Sequence, residues 1–203
     1  MKITWCGHSC FLVETEKGSV VFDPYSPGSV PGVSLPALTA DAVVCSHGHG
    51  DHSYAEGVKL SGKSPTFDMV QLRTFHDDKR GTLRGENTVT LIEAENIRLV
   101  HMGDIGHMLS PEQIEKLGRV DVLLVPVGGF YTVDAKTARK IADELNAKIV
   151  IPMHYRGDGF GYGVIATVEE FIDLSENVTY FKNNSIEISA AAEKMTAVLS
   201  CGI

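Results

Sequence analysis

Two stretches of the chain contain the same order of sheet-forming segments, and this repeat limits the fold more than any other feature of the sequence. The first stretch reads as the strands KITWC, CFLVET and SVVFDP, followed by the short buried strand DAVVCS. The second reads as two strands about a tight turn in NTVTLIEAENIRLVHMGD, followed by the buried strand DVLLVPVGG. Two such halves with added helices predict an α/β (αββα) fold, a four-layer sandwich of two mixed β-sheets flanked by helices on both outer faces.

Capping residues and apolar periodicity predict the helices. SPEQIEKLG opens with Ser-Pro and has a glutamine suited to a capping box. DAKTARKIADELNA is amphipathic, with Ala138, Ile141, Ala142 and Leu145 on one side. TVEEFIDLSE predicts a last helix, and KIVIPMH, VTYFK, SIEIS and KMTAVLS predict the remaining strands. We expect residues 1–203 to form a single domain.

Composition and charge narrow the class of protein. A hydrophobic content of 43% and a charged content of 22% are typical of soluble globular proteins. No apolar run approaches the roughly 20 residues that span a bilayer, so no membrane partner is expected. The first residues, MKITWCGHSCFLVET, lack the apolar core of a signal peptide, and the four cysteines show no disulfide spacing; both predict a cytoplasmic protein with reduced thiols. The net charge of −8 argues against nucleic acid as a partner and favours a small-molecule substrate.

Residues 43–53, VVCSHGHGDHS, place three histidines and an aspartate in one turn after a buried strand. A turn has few ways to hydrogen-bond three imidazoles without a shared partner. We infer that Gly48 and Gly50 leave the backbone free to aim the imidazoles inward. Because divalent metal ions bind neutral imidazole and carboxylate groups, the turn predicts a metal site.

Four donors cannot complete two coordination shells, so further ligands are expected at strand ends on the same edge. His76, in RTFHDD, follows a short strand, and His154, in VIPMHY, ends the strand after the amphipathic helix. Asp104, in RLVHMGD, ends a strand of the second half, where a carboxylate can bridge two ions. Within the turn, His47 and His49 can bind one ion together, and Asp51 and His52 are placed for a neighbouring ion.

HGHGDH resembles the HxHxDH signature of the metallo-β-lactamase fold superfamily. FDP, FHD, HMGD and PMHY resemble the further motifs of that family in their usual order, over nearly the whole chain. Within the superfamily the chain is most similar to the small lactonase-like branch, which includes L-ascorbate-6-phosphate lactonase. The resemblance implies that Asp23, in FDP, supports the metal-binding turn without being a ligand. It implies one site of His47, His49 and His76, a second of Asp51, His52 and His154, and Asp104 between them.

The resemblance also implies a dinuclear metal-dependent hydrolase. Two divalent ions would generate a metal-bridging hydroxide as the nucleophile; zinc suits the histidine-rich donors, and manganese or iron fits the same geometry. Asp51 is the expected catalytic residue, since it can orient the hydroxide or transfer protons while it ligates. The expected substrate is a small ester, lactone or phosphoester. Redox chemistry is disfavoured, because flavodiiron relatives carry a glutamate where this chain has His49.

Several side chains near these motifs are candidates for substrate contacts. His8, in CGHSC, lies on a turn that the family places near the pocket, and His107 follows Asp104 and could donate a proton. Arg156 follows a metal-edge motif and could bind a phosphate or carboxylate, with a solvated surface role as its alternative.

Other nearby residues have less specific expected roles. Arg80 and Arg84 have the same two interpretations as Arg156. We expect His101 to be structural, and we expect Gly128 and Gly129 to allow close approach of backbone beside the metals. The glycines of residues 157–163 predict either a flap over the pocket or an ordinary flexible loop.

Two other functions are open at this point. A phosphodiesterase or nuclease is disfavoured by the acidic balance and by the lack of an appended nucleic-acid module. A non-catalytic metal-binding or ligand-sensing protein is disfavoured by the complete apparent set of ligands. The sequence leaves the oligomeric state open.

Overall fold

Strands and short helices make up the fold, which a computed structural model describes for residues 1–201. The strands, β1–β14 in chain order, are Lys2–Trp5, Phe11–Thr15, Gly18–Phe22, Leu38–Ala40, Ala42–Val44, Val58–Leu60, Asp68–Phe75, Glu86–Ala94, Ile97–His101, Val122–Pro126, Ile149–Met153, Val178–Tyr180, Ser185–Glu187 and Met195–Val198. The helices α1–α3 are Pro111–Leu117, Ala135–Glu144 and Glu169–Ile172, and a short 3-10 turn covers Ala55–Gly57.

Two large mixed sheets form the centre of the molecule. The five-stranded sheet has the order β13-β1-β2-β3-β5 and is antiparallel except for the β3–β5 pair. The seven-stranded sheet has the order β12-β14-β11-β10-β9-β8-β7, with parallel pairs from β12 to β9 and antiparallel pairs from β9 to β7. The predicted α/β fold with two mixed sheets is confirmed.

Alternating apolar residues in β1–β3 fill the space between the sheets. Ile3, Val13 and Val20 belong to the large core that also contains the seven-stranded sheet, whereas Cys10 and Val21 belong to a smaller core on the opposite face. Every residue of β10 is buried. This strand is covered on both faces, because α2 packs over the outer face of the seven-stranded sheet.

The helices begin where the sequence predicts. Ser110 and Gln113 form the predicted capping box of α1, and the side chain of Asp134 accepts from Thr137 N at the start of α2. Helix α3 is shorter than the segment TVEEFIDLSE, in accord with the lack of a capping side chain at its N-terminus. Within residues 1–201, no helix combines the length and the hydropathy of a membrane span.

The outer face of the five-stranded sheet is covered differently from the expectation. Tyr25 and Val30, from the loop after β3, pack there together with Leu38, Ala40 and Val58. The last three come from β4 and β6, which form a small parallel sheet that the sequence did not predict. In the described part of the chain, this loop and small sheet take the place of a helical layer on that face.

Strand ends from both sheets meet at one edge of the sandwich. Asp23 follows β3 and the turn 45–53 follows β5, both in the five-stranded sheet. His76 follows β7, Asp104 lies three residues after β9, and His154 follows β11, all in the seven-stranded sheet. The sandwich therefore gathers residues that are distant in sequence at a single edge.

Candidate metal centre

The turn after β5 is closed by its own hydrogen bonds. His52 N and Ser53 Oγ both donate to His49 O, each at 2.9 Å. Neither Gly48 nor Gly50 has a left-handed φ. An added Cβ would meet nothing within 4 Å at Gly48, and only Ser26 Oγ, at 3.4 Å, at Gly50. Neither glycine therefore adopts a conformation that excludes other residues, and the local geometry has room for a Cβ at both positions.

Histidine and aspartate side chains from this turn and from the other strand ends form two adjoining groups. The first group is His47, His49 and His76, and the second is His8, Asp51, His52 and His154. In each group the possible ligand atoms lie within 4.8 Å of one another. These groups contain the two ligand sets implied by the sequence, with His8 added to the second.

Asp104 lies between the two groups. Its Oδ2 is 3.2 Å from His76 Nε2, 3.2 Å from His52 Nε2 and 3.1 Å from His154 Nε2. Its backbone N donates to Asn87 Oδ1 at 2.9 Å, which fixes the residue beside β8. One carboxylate oxygen thus faces donors of both groups, as a bridging ligand would.

The donor set fits divalent cations. Ligands about 2.0–2.1 Å from a tetrahedral ion lie roughly 3.3 Å from one another, which matches the spacing of the donors around Asp104. Several buried polar atoms have no hydrogen-bond partner within the described residues, and such atoms are uncommon in folded proteins. They include His52 Nε2 and Asp104 Oδ1. Cations at this edge would give the inward-facing atoms partners.

Electrostatics hold His47 and Asp104 in the states that metal ions require. Burial, followed by the charge of His52, lowers the pKa of His47 to about 3, so its imidazole is neutral. Burial opposes ionisation of Asp104, but His154 and His52 outweigh it and hold the pKa well below its usual value. Burial likewise opposes protonation of His52, yet Asp104 and Asp23 raise its pKa well above the usual range. The carboxylates therefore favour a positive charge here, from a proton or from a metal ion.

Asp23 orients ligands of both groups without entering either one. Its Oδ2 accepts from Ser46 Oγ at 2.6 Å and lies 2.8 Å from His52 Nδ1, and its Oδ1 accepts from Ser46 N at 2.7 Å. Ser46 Oγ is in turn 2.9 Å from His47 Nδ1. Protons on the Nδ1 atoms of His47 and His52 would satisfy these contacts and leave both Nε2 atoms free to bind ions.

A cavity of about 300 Å³ opens onto the centre. Leu83, Arg84, Tyr131 and Tyr162 line it together with His49, Asp51, His76, Asp104 and His154. Its volume suits a small substrate. Sequence reasoning missed Leu83, Tyr131 and Tyr162; the Gly-Gly before Phe130-Tyr131 and the position of Tyr162 inside the glycine-rich loop were the available signals.

Arg84 reaches this cavity because Asp77 organises the loop after β7. The Asp77 carboxylate accepts from the backbone N–H groups of residues 79, 81, 83 and 84. Burial opposes ionisation of Asp77, but these donors lower its pKa to about 2. The guanidinium of Arg84 donates to Phe130 O at 2.9 Å and lies 5.8 Å from the centre of the Tyr131 ring. No carboxylate of residues 1–201 pairs with it, so its other N–H groups can bind a substrate anion.

The remaining predicted substrate contacts lie elsewhere. His107 Nε2 accepts from Phe75 N, Nδ1 donates to Met108 O, and the ring lines a separate groove together with Arg80. Arg156 donates through Nε to Ile165 O and does not line the cavity. Neither His107 nor Arg156 lines the cavity, and both ring nitrogens of His107 are engaged by backbone groups.

His8 is close to the centre but is buried, with 1% of its surface exposed. Its Nε2 lies 3.3 Å from Asp51 Oδ2. The expected contact with substrate therefore has no open surface to use. His101 is also buried, and its ring nitrogens meet Ser9 O and Gly103 N, which gives it the structural contacts expected.

The glycine-rich loop 157–163 is fastened across the site. Gly161 N donates to Pro31 O at 2.9 Å, and Tyr162 Oη lies 2.6 Å from Ser29 O and 3.1 Å from Asp51 Oδ2. An added Cβ at Gly32 would lie 1.7 Å from Gly159 O, so the two loops are in tight backbone contact. The loop therefore covers Asp51 in an anchored position.

Sequence comparison identifies a family and relatives of this chain. A sequence model of the beta-lactamase superfamily domain matches residues 2–154. A protein of Carboxydothermus hydrogenoformans named UPF0173 metal-dependent hydrolase is 32% identical to this chain, and the match covers 76% of this chain and 84% of that protein.

Solved structures agree with these sequence matches. A protein of Thermotoga maritima, described as a member of the metallo-β-lactamase superfamily, has a TM-score of 0.79 and 36% identity; the match covers 98% of this chain and 97% of that one. A metallo hydrolase from Ignicoccus hospitalis has a TM-score of 0.64 and 23% identity over 85% of this chain and 89% of its own, which shows the fold alone.

Proposed function

This chain belongs to the metallo-β-lactamase superfamily, and on that premise we propose that it is a metal-dependent hydrolase that binds two divalent cations and acts on a small ester, lactone or phosphoester. One observation carries the proposal: Asp104 Oδ2 lies within 3.2 Å of three imidazole nitrogens drawn from two adjoining donor groups. A buried carboxylate among imidazoles, with other polar atoms unpartnered, is the arrangement of an ion-binding centre.

His47, His49 and His76 would hold one ion, Asp51, His52 and His154 the other, and Asp104 both. The cations would supply activation of water near neutral pH and polarisation of the substrate oxygen. The histidine-rich donors favour zinc, and manganese or iron fits the same groups. The four cysteines are free thiols, which supports the proposed cytoplasmic location.

The residues around the ions have separate tasks in this proposal. Asp51 faces the cavity, and burial opposes its ionisation, but the hydrogen bond with His8 and the charge of His52 hold its pKa below the usual value. It is therefore ionised, as a metal ligand must be, and it could orient the attacking water while it ligates. Leu83 and Tyr131 would contact the apolar part of a substrate, and Arg84 an anionic part. The anchored loop 157–163 would exclude water from the side of Asp51.

Elemental analysis joined to a hydrolysis screen tests the proposal. We expect about two ions per chain and turnover of at least one substrate among general esters, lactones and phosphodiesters. Asp104→Ala should lose metal and lower activity by at least about 100-fold, because it removes the shared ligand. His49→Ala should lose an ion of the first site.

Asp121→Ala is the matched control for Asp104→Ala. Asp121 is a buried carboxylate that accepts from Arg98 N, away from the centre. This variant should keep both ions even if it is less stable. An Asp104→Ala protein that keeps both ions and full turnover would contradict the bridging assignment. A parent protein that binds two ions but is inert across the screen would favour the non-catalytic alternative.

A further inference from the structure

The backbone of His8 is held in an unusual conformation beside the second donor group. His8 lies in the turn between β1 and β2 with a φ of 53°, a region that residues other than glycine rarely adopt. Its carbonyl oxygen accepts from Trp5 Nε1 at 2.9 Å and from His154 N at 3.2 Å. Two hydrogen bonds from separate segments of the chain therefore keep His8 next to His154, itself at a φ of 52°.

The side chain of His8 points at the same place as three expected ligands. Its ligand atom lies within 4.8 Å of those of Asp51, His52 and His154. Its ring centre is 4.1 Å from that of His154 and 5.2 Å from that of His52. The 3.3 Å between His8 Nε2 and Asp51 Oδ2 is in the range that separates two ligands of one ion, each about 2.0–2.2 Å from it. An imidazole that only oriented Asp51 would have no reason to face His52 and His154 as well.

The outer nitrogen of the ring also resembles those of the expected ligands. His8 Nδ1 is buried and has no partner in the described part of the chain, and the same holds for His76 Nδ1 and His154 Nδ1. The outer nitrogen of His8 is therefore in the same situation as those of two residues in the implied ligand sets.

We propose that His8 is a ligand of the second ion, through Nε2, together with Asp51, His52 and His154. This inference rests on the proposed function, because it requires the two-ion centre. With Asp104 included, the second site then has five protein donors and the first has four. Asp51 and His154 of the second site line the cavity, as do His49 and His76 of the first, so both sites face it.

Metal affinity in three variants separates ligation from a hydrogen bond. His8→Ala removes both. His8→Gln keeps an N–H that can reach Asp51 but is a poor ligand. We expect both variants to lower the affinity for one of the two ions by more than about 100-fold, measured in competition with a chelator. Loss of an orienting partner lowers metal affinity by only roughly 10–100-fold.

Tyr162→Phe is the matched control. It removes another group within hydrogen-bond distance of the same Asp51 oxygen and cannot remove a ligand. Its effect should stay within the 10–100-fold range of orienting partners. A His8→Gln protein that binds both ions with the parent affinity overturns the inference, and circular dichroism establishes that each variant is folded.

A zinc-loaded crystal of the unaltered chain gives a second test that needs no variant. The anomalous difference map should place His8 Nε2 about 2.1 Å from the second ion. An Nε2 more than about 3 Å from both ions, donating to Asp51, overturns the inference and leaves the proposed function intact. A parent chain that binds no divalent ion would instead refute the proposed function, and the ligation with it.

Discussion

Asp23 is a single residue on which both candidate ion sites depend. It is fully buried, and its two oxygens contact Ser46 and His52, while Ser46 contacts His47. Its φ of 45° is another left-handed value at the metal edge. One carboxylate therefore sets the ring orientation of a histidine in each group, which explains how a residue outside the coordination shell can matter to it.

The first prediction concerns Asp23→Asn. The amide has one acceptor oxygen in place of two, so either Ser46 or His52 Nδ1 loses its partner. We expect metal affinity to fall by roughly 10–100-fold, as is typical for loss of a ligand-orienting partner. A chelator competition titration measures this. Asp41→Asn is the control, because Asp41 binds Ser19 and Ser61 away from the centre and its loss should leave affinity at the parent value.

At the scale of elements, the ends of strands and the loops behind them carry the site. Gly128, after β10, lies against the end of β11: an added Cβ would be 2.2 Å from His154 O. This confirms the expected close approach of backbone at Gly128. Gly129 has a left-handed φ of 64° and only ordinary contacts for a Cβ, so its conformation rather than its packing favours glycine.

Alanine at Gly128 should therefore be destabilising, whereas alanine at Gly48 should be tolerated. In Gly128→Ala the new Cβ would overlap the backbone of His154 and push that residue from its position. We expect the free energy of unfolding to fall by about 1–3 kcal/mol and the affinity for one ion to fall as well. Gly48→Ala lies in open space and should change stability by less than about 0.5 kcal/mol and leave both ions bound. Thermal unfolding and metal content measure both variants. Equal losses in the two would contradict this account of the edge.

The loop after β7 allows a third prediction. Asp77→Asn replaces one carboxylate oxygen by an amide nitrogen, which cannot accept a hydrogen bond. Some of the four backbone N–H groups that hold residues 79–84 therefore lose their acceptor. We expect several-fold faster amide exchange in this loop and a higher KM for substrates with a negative group, since Arg84 would lose its fixed position. Asp78→Asn is the control, because Asp78 is exposed and, among residues 1–201, its carboxylate pairs only with Lys79. Unchanged exchange in Asp77→Asn would show that the loop does not need the carboxylate.

For the whole molecule, the candidate centre joins the two sheets. His47, His49, Asp51 and His52 follow a strand of the five-stranded sheet, whereas His76, Asp104 and His154 follow strands of the seven-stranded sheet. Any ion bound by both sets links the layers of the sandwich. Because such ions bind the folded chain and find no preformed site in the unfolded one, they should contribute to its stability.

Removal of metal should therefore lower the unfolding temperature. At a free-ion concentration about 100 times Kd, one bound ion adds about 2.7 kcal/mol to the free energy of unfolding. In a chain of this size that corresponds to a fall of roughly 5–10 °C on chelation. Differential scanning calorimetry with and without chelator measures it. In Asp104→Ala the chelator should have little further effect, and a full shift in that variant would contradict a shared ligand.

Sequence alone predicted most of the elements and seven of the candidate donors. Alternation in β1–β3, the unbroken apolar run of β10 and the capping box of α1 depend on neighbours a few residues apart, so local patterns predict them. The turn after β5 and the strand-end residues His76, Asp104 and His154 were predicted for the same reason, since each follows an apolar strand in the sequence.

Only the tertiary structure decided how distant groups meet. His8 joins Asp51 because a turn between β1 and β2 lies against the end of β11, and Arg84 enters the cavity because Asp77 folds its loop. The same long-range packing directed His107 and Arg156 away from the cavity and replaced a helical layer by β4 and β6. These contacts join residues far apart in the chain, and local propensity contains no information on which partners satisfy each buried polar group.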